Sequence, residues 1–234
     1  MDNYIILLLL GSFTLVTSYK IEAQTISENK TLNTRIIGGT PASEGSFPYQ
    51  ILLEQAEVDR YKVSGNEQIR RVTRIISHPG FSYRNLANDI ALLAIDEPFQ
   101  VNKFVSRIPL PKQGQKTTGE VIVTGWGLTS RAVQAASRFL QQVRLTILSD
   151  NACRLLYLLP PRRIHSSMLC TGKLVGGKDS CDGDSGGPLK AVDGNYLAGI
   201  VSWGTICAFP LQPGVNTEVS HFIEWIEQEA KTAF

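Results

Sequence analysis

An all-β fold finished by one terminal helix is the expectation from this 234-residue sequence, and three observations carry it. Short apolar runs recur, as in Ile90–Leu93, Val121–Thr124 and Leu197–Val201, with glycine- or proline-bearing stretches between them. Leu140 to Leu148 alternates well enough to be a half-buried strand. Near the end Val219, Phe222, Ile223 and Ile226 fall at helical offsets behind Ser220, a residue type suited to an N-cap. With 43% apolar and 19% charged residues and a net charge of +2, the chain can bury an ordinary core. Nothing in that balance points to nucleic acid.

Taken in order, Ile5 to Val16 is an apolar run too short to span a bilayer, ending at the small residues Thr17 and Ser18. That is the pattern of a secretory signal, so residues 1–18 are read as a signal peptide cleaved near Ser18. Residues 19–35 are polar and aperiodic and carry the sequon Asn29-Lys30-Thr31, and they are read as a pro-segment outside the fold. Phe47 to Glu54 reads as a first strand, with Pro48 tolerable at its start. Pro98 to Gly119, with Pro109 and Pro111, reads as a connection between two halves. Asp150 to Tyr157 carries Cys153 on a short helical turn. Export would expose four cysteines, Cys153, Cys170, Cys181 and Cys207, to oxidation as two disulfides, and spacing alone leaves three connectivities open.

Asp179 to Pro188 reads D-S-C-D-G-D-S-G-G-P, and this stretch holds the most chemistry. Ser185 stands in a glycine-bracketed turn that can present a hydroxyl and aim backbone N–H groups at one point, as an acyl-transfer site requires. The stretch resembles the GDSGGP signature of the chymotrypsin/trypsin serine endopeptidases. Four further motifs follow the same family order: Arg35-Ile36-Ile37-Gly38-Gly39, Asp89-Ile90-Ala91-Leu92-Leu93, Val123-Thr124-Gly125-Trp126-Gly127 and Ser202-Trp203-Gly204. The resemblance implies two antiparallel β-barrels and a C-terminal helix within one domain. Residues 36–108 would form the N-terminal barrel, and 109–234 the C-terminal barrel with the helix.

By that resemblance Ser185 is the nucleophile, Asp89 the triad carboxylate, and the N–H groups of Gly183 and Ser185 the oxyanion hole. Cutting after Arg35 would free an α-amino group on Ile36 to pair with Asp184, so the uncut chain would be a zymogen. Cys153 would pair with Cys170, and Cys181 with Cys207. Asp179 matches the acid at the floor of trypsin's specificity pocket, with Gly204 and Gly214 at its walls, which implies cleavage after Arg or Lys. Leu197 to Gly204 matches the strand on which a substrate backbone pairs. Two residues depart from the pattern: Ile206 stands where a glycine is usual, so the pocket mouth is expected to be narrowed, and Asn216 replaces the usual tyrosine.

The larger departure lies after Gln55. Family members continue there into a Cys-Gly-Gly segment, more strands and an Ala-Ala-His-Cys motif, whereas this chain runs into Ala56-Glu57-Val58-Asp59. A few tens of residues are missing, and a cysteine pair and the general-base histidine go with them. The first barrel should therefore be incomplete. His78, His165 and His221 are the three histidines present, and each reads as a surface or packing residue. Asp89, deprived of an imidazole, is expected either to admit water or to be less buried than usual.

The expected product is a secreted, extracellular, trypsin-like zymogen whose activity in this chain is impaired. The alternative is an inactive homologue that captures peptides or inhibitors. Expected partners are protein or peptide substrates, protease inhibitors and an activating protease, with no nucleic acid and no membrane after signal removal. The protein is expected to be a monomer without metal or cofactor.

Overall fold

A computed structural model describes residues 5–8, 19–23, 36–43, 45–55, 68–128, 137, 139–158 and 163–232. The strands are β1 (Ile5–Leu8), β2 (Tyr19–Ala23), β3 (Thr40–Pro41), β4 (Ile51–Gln55), β5 (Gln68–Ser77), β6 (Ala91–Ile95), β7 (Glu120–Gly125), β8 (Gln141–Ile147), β9 (Met168–Gly172), β10 (Pro188–Ala191), β11 (Leu197–Trp203) and β12 (Gly214–Glu218). Helix α1 (Asp150–Leu156) interrupts the second set, and a 3-10 turn (Val219–His221) leads into α2 (Ile223–Thr232). The fold is thus mostly β with a terminal helix, as expected.

The second half closes. Its strands run in the order β3-β8-β7-β10-β11-β12-β9, and a further pairing of β8 with β9 joins the ends into a six-stranded antiparallel barrel with β3 outside it. Val121, Val123, Val143, Leu145, Leu169, Leu189 and Val201 fill the interior. Each fully buried aliphatic side chain contributes about 1.5–3 kcal/mol, so this barrel holds a core of its own. Closure also leaves no ladder edge to solvate.

Among the described residues the first half has five strands in the order β1-β6-β5-β2-β4, without a pairing that joins the two ends. Strand β6, second in that order, is buried along its whole length, but β5 at the centre is mostly not, and Ile69 and Ile75 on it are 50% and 40% exposed. Two isoleucines left in water on one strand are what a barrel short of its facing strands should show.

Two expectations are corrected here. Residues 19–35 read from sequence as lying outside the fold, yet Tyr19–Ala23 forms β2 between β4 and β5, and Ile5–Leu8, in the stretch read as a signal peptide, lies along β6. The physical reason is the vacant ladder: unpaired N–H and C=O groups on β4, β5 and β6 are satisfied by whatever extended chain is at hand. Sequon residue Asn29 lies outside the described residues. The first strand also begins later than expected, at Ile51, because Phe47–Gln50 is a turn in which the Gln50 N–H donates to the Phe47 carbonyl.

Helix α2 ties the halves together. Phe222, Ile223 and Ile226 pack with Ile76 and Leu92 of the first sheet and with Leu197 and Ile200 of the second. Ser220 does not cap α2 as expected; it lies within the 3-10 turn, and its carbonyl accepts the Gly114 N–H. The N–H of Glu224 is met instead by Gln113 Oε1, from the connection between the halves, at 3.1 Å.

Candidate active site

The nucleophile loop is built on glycine. Gly183 and Gly186 sit at φ +90° and +85°, which side chains rarely tolerate, and the chain turns sharply enough between them to present Ser185 to solvent. Hydrogen bonds from Asp184 N–H to the Cys181 carbonyl and from Gly187 N–H to the Asp184 carbonyl lock the turn. The Gly186 N–H fastens it to Val201 on β11. Among the described residues the N–H groups of Gly183 and Ser185 have no protein acceptor, so both donors remain available beside the Ser185 hydroxyl.

Beneath the serine lies Asp184, only 2% exposed. Its two carboxylate oxygens accept the N–H groups of Gly127, at 2.8 Å, and Cys181, at 2.9 Å. Space explains the Gly125-Trp126-Gly127 motif: a Cβ on Gly125 would come 2.1 Å from Asp184 Oδ1, and one on Gly127 2.5 Å from its Cγ. Burial pushes the Asp184 carboxyl up to about 7. Among the described residues no cationic side chain pairs with it. Ile36 is fully buried at φ +60°, and Ile37 bridges to Asp179. The residue before it, Arg35, lies outside the described residues.

Asp179 is 4% exposed, and its Oδ2 accepts the Ala208 N–H at 3.0 Å while Oδ1 is buried with no hydrogen-bond partner. Burial raises its carboxyl to about 6. A Cβ on Gly214 would stand 2.9 Å from that Oδ1, whereas one on Gly204 would meet nothing. The lone oxygen therefore lies beside a glycine wall, as recognition of a cation requires. Asn216 is buried, and its amide donates to Thr171 Oγ1 at 3.0 Å and to the Leu169 and Gly214 carbonyls. Ile206 is 42% exposed. The disulfides are Cys153–Cys170 and Cys181–Cys207, and the second links the nucleophile loop to the segment carrying Ile206 and Ala208.

Asp89 departs from expectation. It is 1% exposed and accepts a 2.7 Å hydrogen bond from Ser202 Oγ, while Thr217 Oγ1 donates to its backbone carbonyl. The carboxylate stays buried because the second barrel supplies a hydroxyl to it, a partner that sequence reasoning missed. The signal available was Ser202 itself, directly before Trp203-Gly204.

The three histidines lie elsewhere. The His78 ring packs on Phe222 and Trp225 at 5.3 and 4.9 Å, and its Nδ1 accepts the Gly80 N–H. His165 Nε2 is buried without a partner. His221 stacks edge-on against Phe222, and its carbonyl accepts from Gln113. Among the described residues none hydrogen-bonds to Ser185.

Comparison with known proteins agrees with this geometry. The family model described as Trypsin matches residues 55–226. The chain is 40% identical over 239 aligned residues to Trypsin-1 of Astacus astacus, covering 83% of this chain and all of that protein. It is 34% identical over 224 residues to Trypsin of Sus scrofa, with 83% and 95% covered. Over 182 residues it is 40% identical to Trypsin-4 of Rattus norvegicus, with 78% and 72% covered. By its fold, its nucleophile loop and these likenesses, the chain belongs to the trypsin family of serine proteases.

Proposed function

We propose that this chain is a secreted trypsin-family zymogen with a pocket for Arg or Lys side chains and with catalysis impaired by the want of a general base. The observation that carries the pocket is Asp179 Oδ1, buried and unpartnered beside Gly214. Once uncovered, that oxygen would accept from a guanidinium or ammonium group, and proteins or peptides bearing such side chains are the ligands it suits. Two disulfides fit an oxidising, extracellular setting. The leader through Ser18 would direct export. Cleavage after Arg35 would give Asp184 the cation it lacks, in the α-ammonium of Ile36, and so complete the oxyanion hole.

Impairment rests on the histidines: His78 and His221 are held by ring contacts of their own, and among the described residues none of the three hydrogen-bonds to Ser185. The size of the missing block is supported by the alignment to Trypsin-1: 83% of this chain is about 194 residues, so about 45 of the 239 aligned positions face no residue of it. The family match also begins at Gln55, where the sequence departs from the pattern. Asp89 and Ser202 remain joined without an imidazole, and loss of one triad member leaves only about 10³–10⁴-fold acceleration over water. These same observations favour a second reading, in which the cleft captures peptides or inhibitors without cutting them.

The test is a fluorescent benzamidine titration beside labelling with an organophosphonate active-site probe, before and after cleavage at Arg35. Saturable benzamidine binding that Asp179→Asn abolishes, with labelling far slower than trypsin's, is the expected result. Rapid labelling would overturn the impairment, and absence of binding would overturn the pocket.

A further inference from the structure

Strand β4 has one neighbour in its sheet, and that neighbour is β2. Five residues of β2 pair antiparallel with β4, from Tyr19↔Gln55 to Ala23↔Ile51. On the other side four pair with β5, from Lys20↔Arg71 to Ala23↔Gln68. Residues 19–23 are therefore an interior strand, paired on both edges, and among the described residues they are the ladder partner of β4. Between β4 and β5 the chain spans residues 56–67, twelve positions, too few for two further strands of ordinary length with their turns. Among the described residues it is the amino-terminal segment that lies between β4 and β5.

We propose that residues 19–23 are a resident donor strand, which occupies the slot between β4 and β5 and stays there after the chain is cut at residue 35. The segment removed as an activation peptide by the reading above would then remain bound as a second, short chain. Activation would release the new α-amino group at Ile36 without releasing the peptide. The clause about activation rests on the proposed zymogen reading, but the strand itself does not. Signal cleavage after Ser18 would leave Tyr19, the first residue of β2, at the amino terminus, so export would remove β1 and spare β2. Release of the peptide would uncover ladder groups on β4 and β5 together, and that double exposure is what holds it.

Two measurements decide the proposal, both on the full chain purified from a secreting host. In the first, a site for a sequence-specific protease is inserted after Lys30, so that the cut does not depend on recognition of Arg35. After cutting, the short peptide is expected to co-elute with the large fragment on gel filtration and to separate only in denaturant. A peptide that elutes alone overturns retention. In the second, Glu22→Cys is combined with Ile69→Cys, which are Cα partners across the β2–β5 ladder. Facing residues in an antiparallel pair are about 4.5–5.5 Å apart, within disulfide range. This pair is expected to oxidise at least about tenfold faster than the register-shifted control, Glu22→Cys with Arg70→Cys, whose side chains belong to opposite faces. Equal rates overturn the strand. Failure of an activating protease to cut at Arg35 would count against the zymogen reading alone.

Discussion

Asp179 and Asp184 are two carboxyls whose burial lifts them toward neutrality, to about 6 and about 7. For Asp179 the consequence is a pH-dependent pocket. A cation is bound by the ionised form, so benzamidine affinity should hold above pH 7 and fall about tenfold per unit as pH drops below 6. For Asp184 the consequence is stability. Its folded pKa is raised above the unfolded value of about 3.9, so the folded state binds the proton more tightly, and the penalty of burying the charge is present above pH 7. Lowering the pH from 8 to 5 should therefore stabilise the uncut chain, by about 2–3 kcal/mol from this group, and Asp184→Asn should reduce the dependence to what the raised Asp179 carboxyl leaves. Urea midpoints across that pH range would show it, and a midpoint that fell from pH 8 to 5 in the wild type alone would refute it. Such residues were legible beforehand because their chemistry is local to ten positions of sequence. The Ser202–Asp89 and Thr217–Asp89 hydrogen bonds were not, for they join positions 113 and 128 apart.

At the scale of elements, the second barrel was readable strand by strand. Leu140–Leu148 shortened by one residue at each end to β8, since its alternation records which side chains face the core. What escaped was everything decided by a distant partner. Tyr19–Ala23 does alternate, with Tyr19, Ile21 and Ala23 set against Lys20 and Glu22, but five residues ahead of a polar, aperiodic stretch are a weak signal, and their pairing with β4 and β5 joins segments tens of residues apart. The start of α2 followed the same logic, since Ser220 has the right chemistry for a cap and Gln113, more than a hundred residues earlier, takes the place. Gln113→Ala should then cost about 1 kcal/mol, the ordinary worth of a helix cap, whereas Ser220→Ala should cost less through any capping role. Chemical denaturation of the two variants side by side would tell them apart, and a larger loss for Ser220→Ala would return the cap to the serine.

For the molecule as a whole, the two halves differ in what their chemistry demands. The closed barrel carries the nucleophile loop and Asp179, whereas Asp89 comes from the segment just before β6 of the first sheet. Binding should therefore survive conditions that loosen the first half, while on the proposed reading proton transfer lacks a base. That division predicts an unusual mutational response. In an intact triad the members act as a unit, and removing the serine alone costs about as much as removing all three, roughly 10⁶-fold. Where the base is already gone, the serine has little left to lose, because the residual rate comes from the oxyanion donors and substrate binding. Ser185→Ala should thus leave kcat/KM on an arginine ester within about tenfold of the parent, while Asp179→Asn, which acts through binding, lowers it at least as much. Both are to be measured on chain cut after Arg35. A hundredfold or greater loss for Ser185→Ala would mean that some base does reach the hydroxyl, and it would restore this chain to the ranks of working proteases.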